Sequence, residues 1–440
     1  MIHSFVQALR AHSSSCIAFA GAGGKTTAMF QLAREMQSPV IITATSHLGA
    51  WQLKLADRHI IAETPAPLET LEHGLQGVIL VTGEIDGDRT TAISGHVLHW
   101  LHQFCGYHSI PLLIEADGSR QKPIKAWAEH EPAIPVFANQ VVQVVGLSSL
   151  GKSLGDEHVH RPELFSKLTR LNIGDAVTSD AVLQVLTHKD GALKNIPGTA
   201  RKVVSLNQAD TADLQSAAHG LAHSLLTAYD SVVVSNLIEK QIFAVHERIA
   251  GIVLAAGEST RYGQPKQLLD WRGQPFVRAV AKTAIESGLS PVVVVTGAHA
   301  DQIRDAVHDL NVTVVHNPDW QSGQGSSIRT GVKAAENVGG AIFLLTDQPQ
   351  VTTSILRGLV EKHAEGLQPI VAPMVMDQRA NPVLFDRVAF NDLASIEGDT
   401  GGRAIFHKHR VEYLPWHDDR LLLDVDTPEM YQRLIADESL

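Results

Sequence analysis

Cysteine is scarce. The 440 residues contain two, Cys16 and Cys105, far apart and in no metal-ligand spacing. That excludes a disulfide framework and a cysteine-rich zinc site, and it predicts a reducing, cytoplasmic setting. Positive charge is also short: 36 Lys and Arg stand against 47 Asp and Glu, for a formal net charge of -11. The chain therefore has no basic stripe with which to displace counterions from a nucleic acid. A single nucleotide needs only a local cluster of cations, so the charge balance does not argue against one. Long apolar runs are missing too. No stretch approaches the roughly 20 apolar residues of a membrane span, and residues 17–20, followed at once by glycines, are too short for a signal peptide. Neither nucleic acid nor membrane is predicted as a partner.

What remains is an apolar content of 44% with 19% charged residues, which marks a globular chain and not a disordered one. The length predicts two domains, each long enough for its own core. Short apolar runs alternate with helical patterns, the signature of parallel α/β sheets. Strands are predicted at residues 16–20, 39–43, 78–81, 112–115, 141–145 and 232–235, then at 249–254, 291–296, 312–316, 341–345 and 370–373. Phe276, Val277, Val280, Ala281, Ala284 and Ile285 share one 3.6-period face and predict a helix. A boundary within residues 237–248 divides the chain into 1–245 and 246–440, because a strand with a new loop of small residues begins just after it.

That loop reads LAAGESTRYGQPK from Leu254 to Lys266 and follows a buried-looking apolar run. Ala255, Ala256 and Gly257 let backbone N–H groups approach phosphates and form an anion-binding concavity, with Leu254 and Ser259 in the same loop. Arg261 offers a rigid fork to phosphate oxygens and Lys266 a mobile point charge. Two acids follow apolar runs further on: Asp347 in Thr346-Asp347-Gln348-Pro349, and Asp426 in Leu423-Asp424-Val425-Asp426-Thr427-Pro428. Mg²⁺ favours one or two carboxylates plus phosphate oxygens, so this pair is the predicted metal site. The plainer alternative is that each acid caps a helix, one beginning near Thr352 and one at Thr427-Pro428. Gly297 ends another strand and Ser326 opens a helix, which makes both candidates for reading a base edge.

Together with Asn381-Pro382-Val383-Leu384-Phe385 and Gly398-Asp399-Thr400-Gly401-Gly402-Arg403, these motifs resemble the nucleotidyltransferases with a Rossmann-like fold. Within them the match is to the molybdenum cofactor cytidylyltransferases (MocA-like). Gly402 departs from that pattern, which has Ala there. The resemblance implies transfer of CMP from CTP to molybdopterin cofactor with release of pyrophosphate and Mg²⁺ as the metal. Arg261, Lys266 and Asp347 would be the catalytic groups. The Leu-Ala-Ala-Gly form of the loop points to CTP over GTP. Asn381, Asp399 and Arg403 would face the acceptor, with Arg403 gripping its terminal phosphate. A molybdenum hydroxylase apoenzyme is the implied protein partner. Two alternatives stay open: a sugar- or alcohol-phosphate nucleotidyltransferase, and a non-catalytic cofactor-binding maturation chaperone.

The first half holds two glycine-rich candidates. In Ala20-Gly21-Ala22-Gly23-Gly24-Lys25-Thr26-Thr27, Gly21, Gly23 and Gly24 form a nest, Lys25 reaches for phosphates, and Thr26 offers a hydroxyl for Mg²⁺. Phe19 stands where the first glycine of the full pattern would be. Residues 146–153 match the written pattern better, yet Gly155 and Pro162 leave no room for the helix a phosphate loop requires, so this match is rejected. The run from Leu112 to Arg120 reads as a strand ending in acids, Asp117 among them, that could hold Mg²⁺ or orient a water. With Thr43, Thr45, Ser46, His47, His130-Glu131-Pro132 and His160-Arg161-Pro162, the half resembles the selenium-dependent hydroxylase accessory family (YqeC-like). That implies a phosphate-loop NTPase-like domain binding ATP or GTP and assisting cofactor maturation, without supplying a reaction. The fold expected overall is α/β, two Rossmann-like three-layer domains. His96, His99 and His102 spread around a helix and do not converge on a metal.

Overall fold

Runs of Val, Ile, Leu and Ala bounded by small or charged residues become strands buried on both faces, as parallel sheets covered by helices require. In the computed structural model these are β1 (Cys16–Gly21), β2 (Val40–Ala44), β3 (Arg58–Ile61), β4 (Val78–Thr82), β5 (Leu112–Glu115), β6 (Gln140–Gly146), β7 (Arg201–Asn207), β8 (Ser231–Asn236) and β9 (Gln241–Glu247). They form one sheet in the order β9-β8-β7-β6-β1-β5-β2-β4-β3, with parallel pairing from β8 through β3. The structure describes every residue except Met1, His3, Ser38, Thr70, Thr260, Arg261, Gly263 and 437–440. It divides into two units, Met1–His246 and Glu247–Leu440.

Alternation along each strand sends side chains to two layers. On one face of the first sheet, Ile41, Ile79, Val81, Leu112 and Ile114 pack against Val97, Leu101 and Phe104 of the helix Gly95–His108. Further along, Val204, Leu206, Val232 and Val234 meet Ala218, Leu221 and Leu225 of Ala212–Leu225. Each such aliphatic side chain contributes roughly 1.5–3 kcal/mol on burial.

In the second unit the strands are β10 (Ile249–Ala255), β11 (Val292–Thr296), β12 (Thr313–His316), β13 (Gly340–Leu345), β14 (Ile370–Val375), β15 (Gln378–Arg379), β16 (Val383–Asp386) and β17 (Val411–Pro415). Their order is β12-β11-β10-β13-β16-β14-β15, with β17 beside β14. Val253 packs with Val277, Val280 and Ile355 on one face, and its neighbour Ile252 with Ile328 and Leu393 on the other. Both units are thus three-layer α/β, as expected. From β10 the chain runs outward to β11 and β12, then returns to β13 on the other side. The crevice at the carboxyl ends of β10 and β13 is therefore a topological switch point, where α/β folds bind ligands.

Six of these strands were not anticipated: β15, β16 and β17 in the second unit, and three in the first. β7 begins with Arg201 and Lys202, and β3 is a short, half-exposed edge. β9 occupies most of the stretch expected as an interdomain boundary; its burial is broken by exposed and half-buried positions, as at a sheet edge. After β6, residues Leu147–Ser149 make a single 3₁₀ turn, and the next α-helix is Pro162–Thr169, in keeping with rejection of that match as a phosphate loop. His102 stacks on Phe137 with ring centroids 4.0 Å apart. Among the described residues no helix is long and apolar enough to cross a membrane, and no group of three His, Cys, Asp or Glu closes on a metal position.

Candidate active site

At the switch point of the second unit lies a cavity of about 700 Å³, large enough for a nucleotide, lined by Leu254, Gly257, Lys266, Ser327, Asp347 and Asp426 among others. Glycine is demanded here by close approach. A Cβ on Gly297 would stand 2.4 Å from the Ala256 carbonyl oxygen and 2.8 Å from Trp320 Cβ. Gly297 therefore lets two loops meet at the cavity wall.

The charges converge. Asp347 leaves the end of β13, and its carbonyl accepts a hydrogen bond from Val425 N–H at 3.1 Å, which draws the Asp424–Asp426 segment alongside. Lys266 Nζ lies 2.8 Å from Asp426 Oδ1 and 3.5 Å from Asp347 Oδ2. Burial raises the Asp347 pKa above the ordinary carboxylate value; Lys266 opposes this, while Asp424 and Asp426 add to it. Asp347 Oδ1 is buried with no hydrogen-bond partner. The capping alternative fails for both acids. The N-cap of the helix Thr353–Gly366 is Thr352, well past Asp347, and the hydroxyl at the start of Pro428–Ala436 is that of Thr427, which accepts from Met430 N–H.

This donor set fits a hard divalent cation. The free oxygen of Asp347 and the carboxylate of Asp426 are the ligand type Mg²⁺ takes, and Lys266 supplies the positive charge between them. Asp424, within the expected motif but not singled out, accepts from Gln348 Nε2 at 2.6 Å. Its pKa is raised by burial, and Arg403 is near enough to counteract that in part.

Other residues take different places from those expected. Ser326 Oγ donates to Gly323 O at 2.8 Å and accepts from Asn317 Nδ2 at 2.8 Å. Its hydroxyl fastens the start of the helix Gln324–Ala334 and does not face a base; Ser327 lines the cavity instead. Ala255 is buried within β10. Ser259 Oγ accepts from Lys266 N–H at 3.1 Å, and Gln267 Nε2 donates to Gly257 O at 2.7 Å, so Gln267, unforeseen, laces the loop together. Asp399 lines the cavity and accepts weakly from Gln324 N–H at 3.4 Å. Asn381 is half-buried just ahead of β16, and Arg403 is exposed on the 3₁₀ turn Gly402–Lys408. Arg261 lies outside the described residues.

In the first unit, Gly21, Gly23 and Gly24 have φ of 96°, 76° and 122°, and a Cβ on Gly23 would sit 2.2 Å from Gly146 N, so the nest is built of necessity from glycine. Lys25 is buried; its Nζ donates to Gly21 O at 2.6 Å and pairs with Asp117 Oδ1 at 3.2 Å. Thr26 is half-buried in the first turn of the helix Lys25–Glu35. Asp117 corrects an expectation. Fully buried, it accepts from Gly21 N–H, Lys125 Nζ (3.0 Å) and Trp127 Nε1 (2.7 Å), which leaves it no capacity to hold a metal or a water. It is the anchor of the glycine loop. Behind it, Glu131 accepts from Arg161 and Lys125. Burial alone would raise its pKa, but those two cations bring it down to about 2.

Residues 251–413 match the family described as MobA-like NTP transferase domain, and residues 17–163 match the YqeC protein family. The chain is 32% identical over 196 residues to nicotine blue oxidoreductase of Paenarthrobacter nicotinovorans, covering 42% of this chain and 96% of that protein. It is 32% identical over 202 residues to the uncharacterized protein YqeC of Escherichia coli, covering 44% and 75%. It is 24% identical over 179 residues to the E. coli molybdenum cofactor cytidylyltransferase, covering 40% and 91%.

Proposed function

Because the chain belongs to the MobA-like NTP transferases through its second half and to the YqeC family through its first, we propose that it transfers CMP from CTP to molybdopterin cofactor, releasing pyrophosphate. The observation that carries this reading is the placement of Lys266 between Asp347 and Asp426 at the mouth of the 254–259 loop. A purely binding protein needs a cation for phosphates, but has little need of two acids beside it. The relation to an oxidoreductase means that the scaffold alone does not choose the reaction; this charge arrangement favours triphosphate chemistry.

In the reaction an oxygen of the acceptor's phosphate attacks the α-phosphorus of CTP, and the bond to the bridging oxygen breaks with its electrons remaining on pyrophosphate. The attacking phosphate is already largely ionised at neutral pH, so no general base is required. Lys266 neutralises charge on the departing phosphates, and Arg261 would act beside it. Asp347 and Asp426 would hold the metal, which when bound would supply positive charge to offset the negative charge that builds up during phosphoryl transfer. The closed wall made by Gly297, Ala256 and Trp320 fixes the loop, so positioning and preorganised charge do the catalytic work. Asp399 and Arg403 face the acceptor. The first unit binds ATP or GTP and serves cofactor maturation or delivery to a molybdenum hydroxylase.

The test is pyrophosphate release with CTP against GTP, with molybdopterin present or absent, and with a phosphorylated sugar and alcohol as rival acceptors. Release that needs both CTP and molybdopterin is expected. Transfer to a sugar phosphate alone would replace the acceptor. Tight molybdopterin binding without pyrophosphate release would make the protein a maturation chaperone.

A further inference from the structure

Glu115 closes β5 at 5% exposure, and its Oε2 is buried with no hydrogen-bond partner. Such a group is costly unless it meets something the protein alone does not supply. Alternation along the strand determines where it points. Leu112 and Ile114 pack into the cluster with Val97 and Leu101, so Glu115 projects to the opposite face, where the helix Lys25–Glu35 lies against β5 and β1. Glu115 pairs in register with Phe19 on β1, two residues before Gly21. Burial raises its pKa to about 7, and Lys25 is the strongest of the charges that act on it.

The loop beside it has N–H groups to spare. Those of Gly21, Ala22 and Gly23 are taken by Asp117, Val144 O and Lys122 O. Those of Gly24, Lys25, Thr26 and Thr27 precede the first bond of the helix, from Ala28 N–H to Gly24 O. They open an 11-residue helix whose dipole favours an anion at this end. Asp117, with its oxygens filled by four donors, cannot serve that anion's chemistry. Glu115 can.

We propose that the first unit hydrolyses a nucleoside triphosphate, with the phosphate chain on the N–H groups of residues 24–27 and Glu115 Oε2 taking the proton of the attacking water. The water oxygen bonds to the terminal phosphorus. The bond from that phosphorus to the bridging oxygen breaks, its electron pair leaving on the nucleoside diphosphate, and the proton passes from Glu115 to solvent with orthophosphate. This step rests on the reading of the first unit as a nucleotide-binding domain.

The test uses the full chain with ATP and with GTP. Orthophosphate is measured so that pyrophosphate from the second unit does not contribute, and a fluorescent nucleotide analogue reports binding separately. Glu115→Gln preserves size, and Glu115→Asp preserves charge while withdrawing the oxygen. Both are expected to bind nucleotide as the parent does and to release orthophosphate about 100-fold more slowly. Lys25→Ala is expected to weaken binding itself. Orthophosphate release at the parent rate by both Glu115 variants, or binding by the parent with no orthophosphate formed, would overturn the hydrolysis and leave nucleotide binding standing. Failure of the parent to bind either nucleotide would remove the phosphate-loop reading, and the hydrolysis with it.

Discussion

Lys266 lets two carboxylates sit side by side, its ammonium 2.8 Å from Asp426 and 3.5 Å from Asp347. Asp347 is already raised by burial and by its acidic neighbours, so its contribution depends on a cation being close. Asp347→Asn keeps the shape and removes the charge. We expect pyrophosphate release to fall by on the order of 3 kcal/mol of transition-state stabilisation, roughly 100-fold, with little change in the affinity for molybdopterin. A variant within threefold of the parent rate would take Asp347 out of the mechanism. Glu115 permits a separate prediction about stability. Its pKa rises from an ordinary value of 4.5 to about 7 on folding, chiefly through burial. A folded-state pKa above the unfolded one favours the fold below pH 4.5, and that contribution is lost as pH rises to about 7. Glu115→Gln should therefore gain up to about 3 kcal/mol on the parent between those limits. Denaturant melts of both proteins across that range measure it, and parallel pH profiles would show that the carboxylate is not desolvated as described.

What the sequence revealed at this scale follows from the same physics. Lys266, Asp347 and Asp426 were legible because each follows an apolar run or a loop of small residues; Asp347 stands just past the end of β13, Lys266 opens a 3₁₀ turn after the loop, and Asp426 precedes the last helix. Gln267, Asn317 and Gln348 were not, because their roles come from partners across space: Gly257 O, two serine hydroxyls and Asp424. Ser326 and Asp117 were misread for a common reason. A hydroxyl in a first helical turn and an acid past a strand end can face outward to a ligand or inward to donors, and only the count of inward donors tells which.

Elements were read in proportion to the continuity of their apolar runs. β1, β5 and β10 are unbroken and were found; β7 opens with two cations and β9 is an edge, so both escaped. One departure from the family pattern has its explanation at this level. A Cβ on Gly402 would stand 2.7 Å from Phe385 Cζ, so the turn Gly402–Lys408 can approach β16 only because residue 402 lacks a side chain. Phe385 in turn stacks edge-on against Phe343 and Phe406. Gly402→Ala, which restores the family residue, should destabilise the second unit by about 1–3 kcal/mol through overpacking. Phe385→Leu in the same chain should recover part of that loss, because the two changes share one space. Strictly additive melting data would show that the contact does not constrain the turn.

At the scale of the whole molecule, each unit has its own sheet and its own buried apolar clusters, so each should melt as a cooperative body. Calorimetry should resolve two transitions, and Gly402→Ala identifies the second unit's transition by lowering it alone. A ligand that binds only the folded state at 100 times its Kd adds about 2.7 kcal/mol, which for a unit of this size raises the midpoint by roughly 5–10 °C. CTP with Mg²⁺ should move the transition marked by Gly402→Ala and leave the other in place. In Asp347→Asn that shift should shrink, since part of the nucleotide's affinity passes through the carboxylate pair. A nucleotide that also fits the loop at Gly24 and Lys25 would raise the other transition, so ATP or GTP gives the complementary reading. Were CTP to raise both transitions equally in the parent, and still do so after Asp347→Asn, its binding could not be assigned to the cavity around Lys266.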